Sequence, residues 1–114
     1  MSRISIAAET AARFYTRRHP GYTVAAQHPA YDNGIVVFDS YEIVFVRCSL
    51  SHGATFADNN QTREQAEAQA IEWMTANAYR IPEGLRMRFD HLSVKCIGDG
   101  KAVIRHHVNC FDEE

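Results

Sequence analysis

The run Ile43-Val44-Phe45-Val46 constrains this chain more than any other stretch. Four consecutive β-branched and aromatic residues offer no polar face, so a strand built from them is covered on both sides. Such a strand lies inside a sheet, with other layers above and below it. Tyr41 to Cys48 is therefore expected to be the central strand, and its end turns polar at Arg47-Cys48-Ser49. Strand ends in α/β sheets are where sites gather. Arg, Cys and Ser are a poor set for hydrolytic chemistry, so the chain specifies a fold more fully than a reaction.

The flanking segments supply the layers. Residues 4–18 place Ile4, Ala7, Ala8, Ala11, Phe14 and Tyr15 on one stripe at helical spacing. His19-Pro20-Gly21 stops that helix, because Pro20 disfavours helix at the residue before it and Gly21 permits a left-handed turn. Tyr22 to Gln27 predicts a short strand, Asn33-Gly34 a turn, and Ile35 to Phe38 a second strand. Asp39-Ser40 then turns the chain into the central strand, which makes an antiparallel meander.

Ser49 to Asn60 reads as a polar loop. Thr62-Arg63-Glu64-Gln65 fits a capping box that opens a second helix. Ala66, Ala70, Trp73, Met74 and Ala78 make its apolar face, and Pro82-Glu83-Gly84 closes it off. Met87 to Ile97 and Lys101 to Phe111 read as two strands joined at Gly98-Asp99-Gly100. Leu92, Val94 and Cys96 alternate onto one face of the first, and Ala102, Ile104, His106, Val108 and Cys110 onto one face of the second. Asp112-Glu113-Glu114 is expected to be a frayed tail. The order predicts one α/β domain over residues 1–114: an α-βββ-α-ββ sandwich, with a mixed central sheet flanked by helices.

Composition narrows the function classes. A hydrophobic content of 46% suits a packed core, and a net charge of -2 gives no global attraction to nucleic acid or acidic membranes. No stretch approaches the roughly 20 apolar residues of a membrane span. The start of the chain has no signal-peptide apolar stretch and carries Glu9 early, so the expected location is the cytoplasm. Cys48, Cys96 and Cys110 are odd in number, lack CxxC spacing and read as reduced, packed thiols.

Four stretches together resemble a known family. They are Glu9-Thr10-Ala11-Ala12-Arg13-Phe14-Tyr15 with Arg17-Arg18-His19-Pro20-Gly21-Tyr22, then Ile43-Val44-Phe45-Val46, then Arg88-Phe89-Asp90, and finally Val108-Asn109-Cys110-Phe111. Their order and spacing resemble the YraN-type family of small bacterial proteins. The stretches match that family's opening helix with Gly-Tyr at the first strand, its central strand, its Arg-Phe-Asp strand motif and its closing Asn-Ala-Phe. The resemblance implies a restriction-endonuclease-like fold and a nuclease ancestry.

That family's site resembles a nuclease pattern: an acidic residue on the opening helix, an Asp on the second strand, and Glu-x-Lys ending the third. Carboxylates of this kind hold Mg²⁺, which polarises the phosphoryl oxygen and activates water, while the Lys orients that water. In this chain Val36 stands at the Asp position, Arg47 at the Glu and Ser49 at the Lys, and only Glu9 of the acidic set stays in register. These four are vestigial site positions. A lone carboxylate with an arginine nearby favours a Glu9–Arg47 salt bridge over a metal site. No cofactor is expected. Mg²⁺ enters only under the alternative of an active endonuclease with rearranged ligands, for which Asp32 and Asp39 lie near enough in sequence.

Three further groups carry candidate chemistry. Arg13, Arg17, Arg18 and His19 make a basic end to the first helix, near Tyr15 and Tyr22. Basic groups interleaved with aromatics hold phosphates and stack bases. His91 and His107 come opposite each other if the last two strands pair, which is two ligands where structural zinc takes four. Cys48 follows Arg47, a neighbour able to lower a thiol pKa. The expected role is a non-catalytic module that binds DNA, RNA or a protein partner. A self-associating structural or regulatory protein, dimeric through a sheet edge or the second helix, is the alternative from another class.

Overall fold

A computed structural model describes residues 3–52, 61–98 and 100–111. The elements run α1 (Arg3–Arg18), β1 (Thr23–Gln27), β2 (Gly34–Phe38), β3 (Glu42–His52), α2 (Arg63–Asn77), β4 (Arg86–Cys96) and β5 (Ala102–His107). The five strands form one sheet in the order β1-β2-β3-β4-β5. β3 pairs antiparallel with β2 and parallel with β4, so the sheet is mixed and β3 is its middle strand. The element order and the antiparallel meander match the sequence expectation.

Each face of the sheet has its own core. Val44, Val46 and Cys48 of β3 meet Ile35, Val37, Leu92 and Val94 beneath Ala7, Ala8, Ala11 and Tyr15 of α1. Three alanines in the α1 stripe let the helix backbone approach the sheet closely. Ile43 and Phe45 point the other way and join Val36, Tyr31, Ala70, Trp73 and Ile81. The apolar run is thus covered on both faces, as its composition demands. Phe45 carries much of the second core, stacking on Phe89 at 5.8 Å and meeting Trp73 edge-on at 6.0 Å.

Three boundaries differ from the sequence reading. β3 does not end at Cys48 but continues to His52, because parallel pairing with β4 extends through His52–Cys96. The polar residues Ser49 and Ser51 tolerate the strand because β4 supplies the ladder there; residues 53–60 of the expected loop lie outside the described residues. β5 stops at His107, where Asn109 takes a left-handed backbone (φ 51°) and Cys110 N–H donates to the Phe89 carbonyl. Val108 and Cys110 therefore do not continue its alternation. α2 ends at Asn77, before Pro82: the Asn77 side chain donates to the Trp73 carbonyl, and a 3-10 turn over Ala78–Arg80 follows. Ala78 is exposed there, not on the apolar face. The tail from Asp112 and the turn residue Asp99 lie outside the described residues.

The capping box at α2 forms as read, with Gln65 N–H donating to Thr62 Oγ1 and Thr62 N–H donating to Gln65 Oε1. At the sheet margin β1 carries an irregularity between Val24 and Ala26, and Arg80 Nη2 donates to the Ala25 carbonyl at 2.8 Å. Among the described residues no helix is long and apolar enough to cross a membrane.

Gly34 is a steric requirement of this sheet. A Cβ there would lie 1.8 Å from the Val46 carbonyl oxygen, inside the β2–β3 ladder. Gly34→Ala is expected to cost about 3 kcal/mol or more, because backbone on both sides must move. Asn33→Ala, at a left-handed position (φ 58°), should cost only about 1 kcal/mol. Urea denaturation of the two variants checks the ranking.

Candidate functional site

A recess of about 680 Å³ opens between α2 and the loop before β2. Arg47 lines it from the sheet, Tyr31 and Trp73 from the core side, and Gln65, Gln69 and Glu72 from α2. Local structure explains each placement. Arg47 shares the alternation of Ile43 and Phe45, so it points to the α2 face, just beyond the reach of the apolar core. Small Ala66 and Ala70 bury one side of α2, and the glutamines one turn apart flank that side.

The recess is ordered by hydrogen bonds. Gln61 Nε2 donates to Gln69 Oε1 at 2.9 Å, and Gln69 Nε2 donates to the Asp32 carbonyl at 3.0 Å. Asp32 and Glu72 are exposed at its rim, while Arg47 is half-buried. Among the described residues Arg47 has no hydrogen-bond or ion-pair partner. Its charge opposes the burial that raises the Tyr31 phenol above its ordinary range.

The four vestigial positions do not converge. Val36 is fully buried in the core. Arg47 and Ser49 lie on the α2 face of β3, whereas Glu9 sits on α1 across the sheet, paired with Arg13 one helical turn away. The expected Glu9–Arg47 salt bridge is therefore corrected: the sheet separates the two residues. A buried valine, a cation and a distant, already paired glutamate do not fit a divalent-metal site. Among the described residues no three His, Cys, Asp or Glu side chains cluster as ligands. Asp39 acts as a turn residue, accepting from the N–H groups of Tyr41 and Glu42.

The basic end of α1 is partly neutralised. Besides the Arg13–Glu9 pair, His19 Nε2 donates to Asp39 Oδ2 at 2.9 Å. Arg17 is exposed, and Arg18 lies 4.9 Å over the Phe14 ring. Ser49 instead meets histidine: its Oγ is 3.0 Å from His91 Nε2 and 3.2 Å from Ser93 Oγ. His91 and His107 do face each other across β4 and β5, with ring centroids 6.2 Å apart, and His107 Nε2 accepts from Arg105 Nε. Cys48 is a free, buried thiol, as the packed reading expects. Cys48 faces α1, opposite Arg47, and burial pushes it up to about 12 despite that neighbouring charge.

Beneath α1 lies a buried network of charged and polar groups. Asp90, only 1% exposed, receives Tyr15 OH on Oδ2 at 2.5 Å, His106 Nε2 on Oδ2 at 2.9 Å and Asn109 N–H on Oδ1 at 3.0 Å. Arg88 binds both carboxylate oxygens at 2.9–3.0 Å and reaches Glu42 Oε2, which Tyr22 OH also donates to. The resembled Arg-Phe-Asp motif is thus a clamp between helix and sheet. Burial raises the Asp90 carboxyl, but hydrogen bonds from His106, Arg88 and Tyr15, with the Arg88 charge, outweigh it and hold the group below its ordinary range. Burial first, then Asp90, raises the Tyr15 phenol well above its range, and burial with Glu42 pushes Tyr22 up to about 12. These groups stay in one protonation state at neutral pH and hold α1 in place.

The sequence reading missed the recess. It places Trp73 in the core, as found, and Gln65 in the capping box, and gives Tyr31, Gln61 and Gln69 no role. The four-residue spacing of Gln61, Gln65 and Gln69 was the available signal.

Removing the clamp charge tests its role. Asp90→Asn is expected to cost about 2–3 kcal/mol at neutral pH by leaving Arg88 and His106 underpaired. The native carboxyl is held below its unfolded value near 3.9, so its stabilisation is complete above that value and fades as pH falls through the native one. The gap between wild type and Asp90→Asn should hold from about pH 5 upward and narrow below about pH 4. Thermal melts across pH measure it, and a gap that widened on acidification would contradict the assignment.

No protein-family model matches this chain, and no curated protein matches it either.

Proposed function

We propose that this chain is a non-catalytic relative of restriction-endonuclease-like nucleases, holding nucleic acid without cutting it. One observation carries the reading. Arg47 stands where the resembled pattern places a metal-binding glutamate, and it enters an open recess half-buried and without an ionic partner among the described residues. A cation in that setting attracts an anion, and phosphate is the anion such a fold meets. The α-βββ-α-ββ order around a mixed sheet supports the ancestry. The buried Val36 and the displaced Glu9 support loss of cleavage, since the carboxylates of the resembled pattern are not brought together to position Mg²⁺ among the described residues.

Arg47 supersedes the α1 cations as the leading contact. Arg13 and His19 already have acidic partners, which leaves Arg17 and Arg18 as an accessory basic surface on the opposite face. Binding of labelled single-stranded and duplex oligonucleotides at several salt concentrations tests the proposal. Affinity should fall with salt, and Arg47→Ala should weaken it by about tenfold, the loss of one charge-assisted phosphate contact. The Arg17→Ala/Arg18→Ala double variant should lower the salt slope without matching that loss. Oligonucleotides should stay intact with Mg²⁺ or Mn²⁺ present. Metal-dependent cleavage, or binding indifferent to Arg47, would refute the reading.

A further inference from the structure

The shape of the recess narrows what it can hold. A volume of about 680 Å³ lies within the range of small-ligand sites, roughly 300–1,000 Å³. A duplex keeps its bases stacked and offers such a recess no base edge unless one is extruded. The charges narrow it further. Among the described residues Arg47 is the one cation lining the recess, and Asp32 and Glu72 stand exposed around it. A continuous run of phosphates would pass those carboxylates at an electrostatic cost. One phosphate, seated on Arg47, would not.

The α2 wall offers a complementary surface for a base. A carboxamide has two N–H donors and two acceptor lone pairs. Gln69 uses one donor on the Asp32 carbonyl and one lone pair on Gln61. One N–H and one lone pair remain, on an amide held in place by those two bonds. A glutamine amide in this arrangement matches the N6/N7 edge of adenine, which presents a donor beside an acceptor. Tyr31 and Trp73 supply apolar wall for the body of the base.

We propose that the recess is a single-nucleotide pocket. It takes one adenosine monophosphate unit, with phosphate on Arg47 and the base edge on Gln69, free or at the end of a strand. This inference rests on the nucleic-acid reading above and sharpens it to one unit and one base.

Isothermal titration calorimetry of the full chain tests it with AMP, adenosine, inorganic phosphate, purine riboside 5′-monophosphate (which lacks the N6 amine), and single-stranded and duplex oligonucleotides with and without a terminal phosphate. AMP should bind one to one. Adenosine, phosphate and the purine nucleotide should each bind about tenfold more weakly or worse, since each lacks the phosphate or the N6 donor. Arg47→Ala should abolish the gain of AMP over adenosine, and Gln69→Leu should abolish its gain over the purine nucleotide. Glu72→Gln, at an exposed position that leaves the core untouched, should tighten AMP by about two- to threefold. This variant guards against a folding defect in the other two.

AMP binding without oligonucleotide binding would support the pocket, assign its ligand to the free nucleotide and overturn the nucleic-acid reading. Tighter binding of a phosphorylated single strand than of a duplex would support the strand terminus as its source. Arg47-dependent oligonucleotide binding with no AMP binding would overturn the pocket and leave the broader reading standing. Absence of both would overturn the two together, as would AMP binding unchanged in Arg47→Ala and Gln69→Leu.

Discussion

The structure depends on the parallel pairing of β3 with β4, which runs from Glu42–Arg86 to His52–Cys96. Parallel neighbours cannot be joined by a tight turn, so the chain must cross a face of the sheet between them. That crossing is where α2 comes from, and it covers the face of β3 that α1 leaves open. Both cores follow from it. Without the crossover, Ile43 and Phe45 would face water, and the apolar run that opens this molecule's architecture would have no second cover.

The two faces then diverge in kind. Beneath α1 the polar groups are consumed by one another: Tyr15, Arg88, Asp90, His106 and Glu42 share donors and acceptors until the junction is closed. Beneath α2 the cover is partial, because only Ala66, Ala70 and Trp73 of that helix are buried. The remainder of the helix flank is amide and carboxylate, and the sheet answers it with a lone guanidinium. The closed polar network lies on one side, and open polar surface on the other. A residue's face, set by its parity along β3, decides which side it serves: Arg47 and Cys48 are adjacent in sequence and opposite in consequence.

Much of the architecture was legible in the sequence. Strand positions followed from runs such as Ile43–Val46, the α2 start from Thr62–Gln65, and the His91–His107 register from the Gly98–Gly100 connection. The ends of β3 and β5 were not legible. A polar strand end such as Ser49–His52 is held by a neighbour 44 residues away, and no local signal reports that neighbour. The site was less legible still. Glu9 and Arg47 looked like partners in a linear comparison, yet the sheet passes between them. The Asp90 clamp joins α1, β3, β4 and β5, so its members are spread over most of the chain and share no spacing.

The margin at β1 has a consequence for how the protein meets its own kind. An edge strand presents unpaired backbone groups to any passing chain. Here the irregularity at Ala25 breaks the flat template, and the Arg80 guanidinium occupies the carbonyl a newcomer would seek. The β1 margin is thereby a poor template for a further strand, blocked at the one carbonyl where the ladder is already irregular.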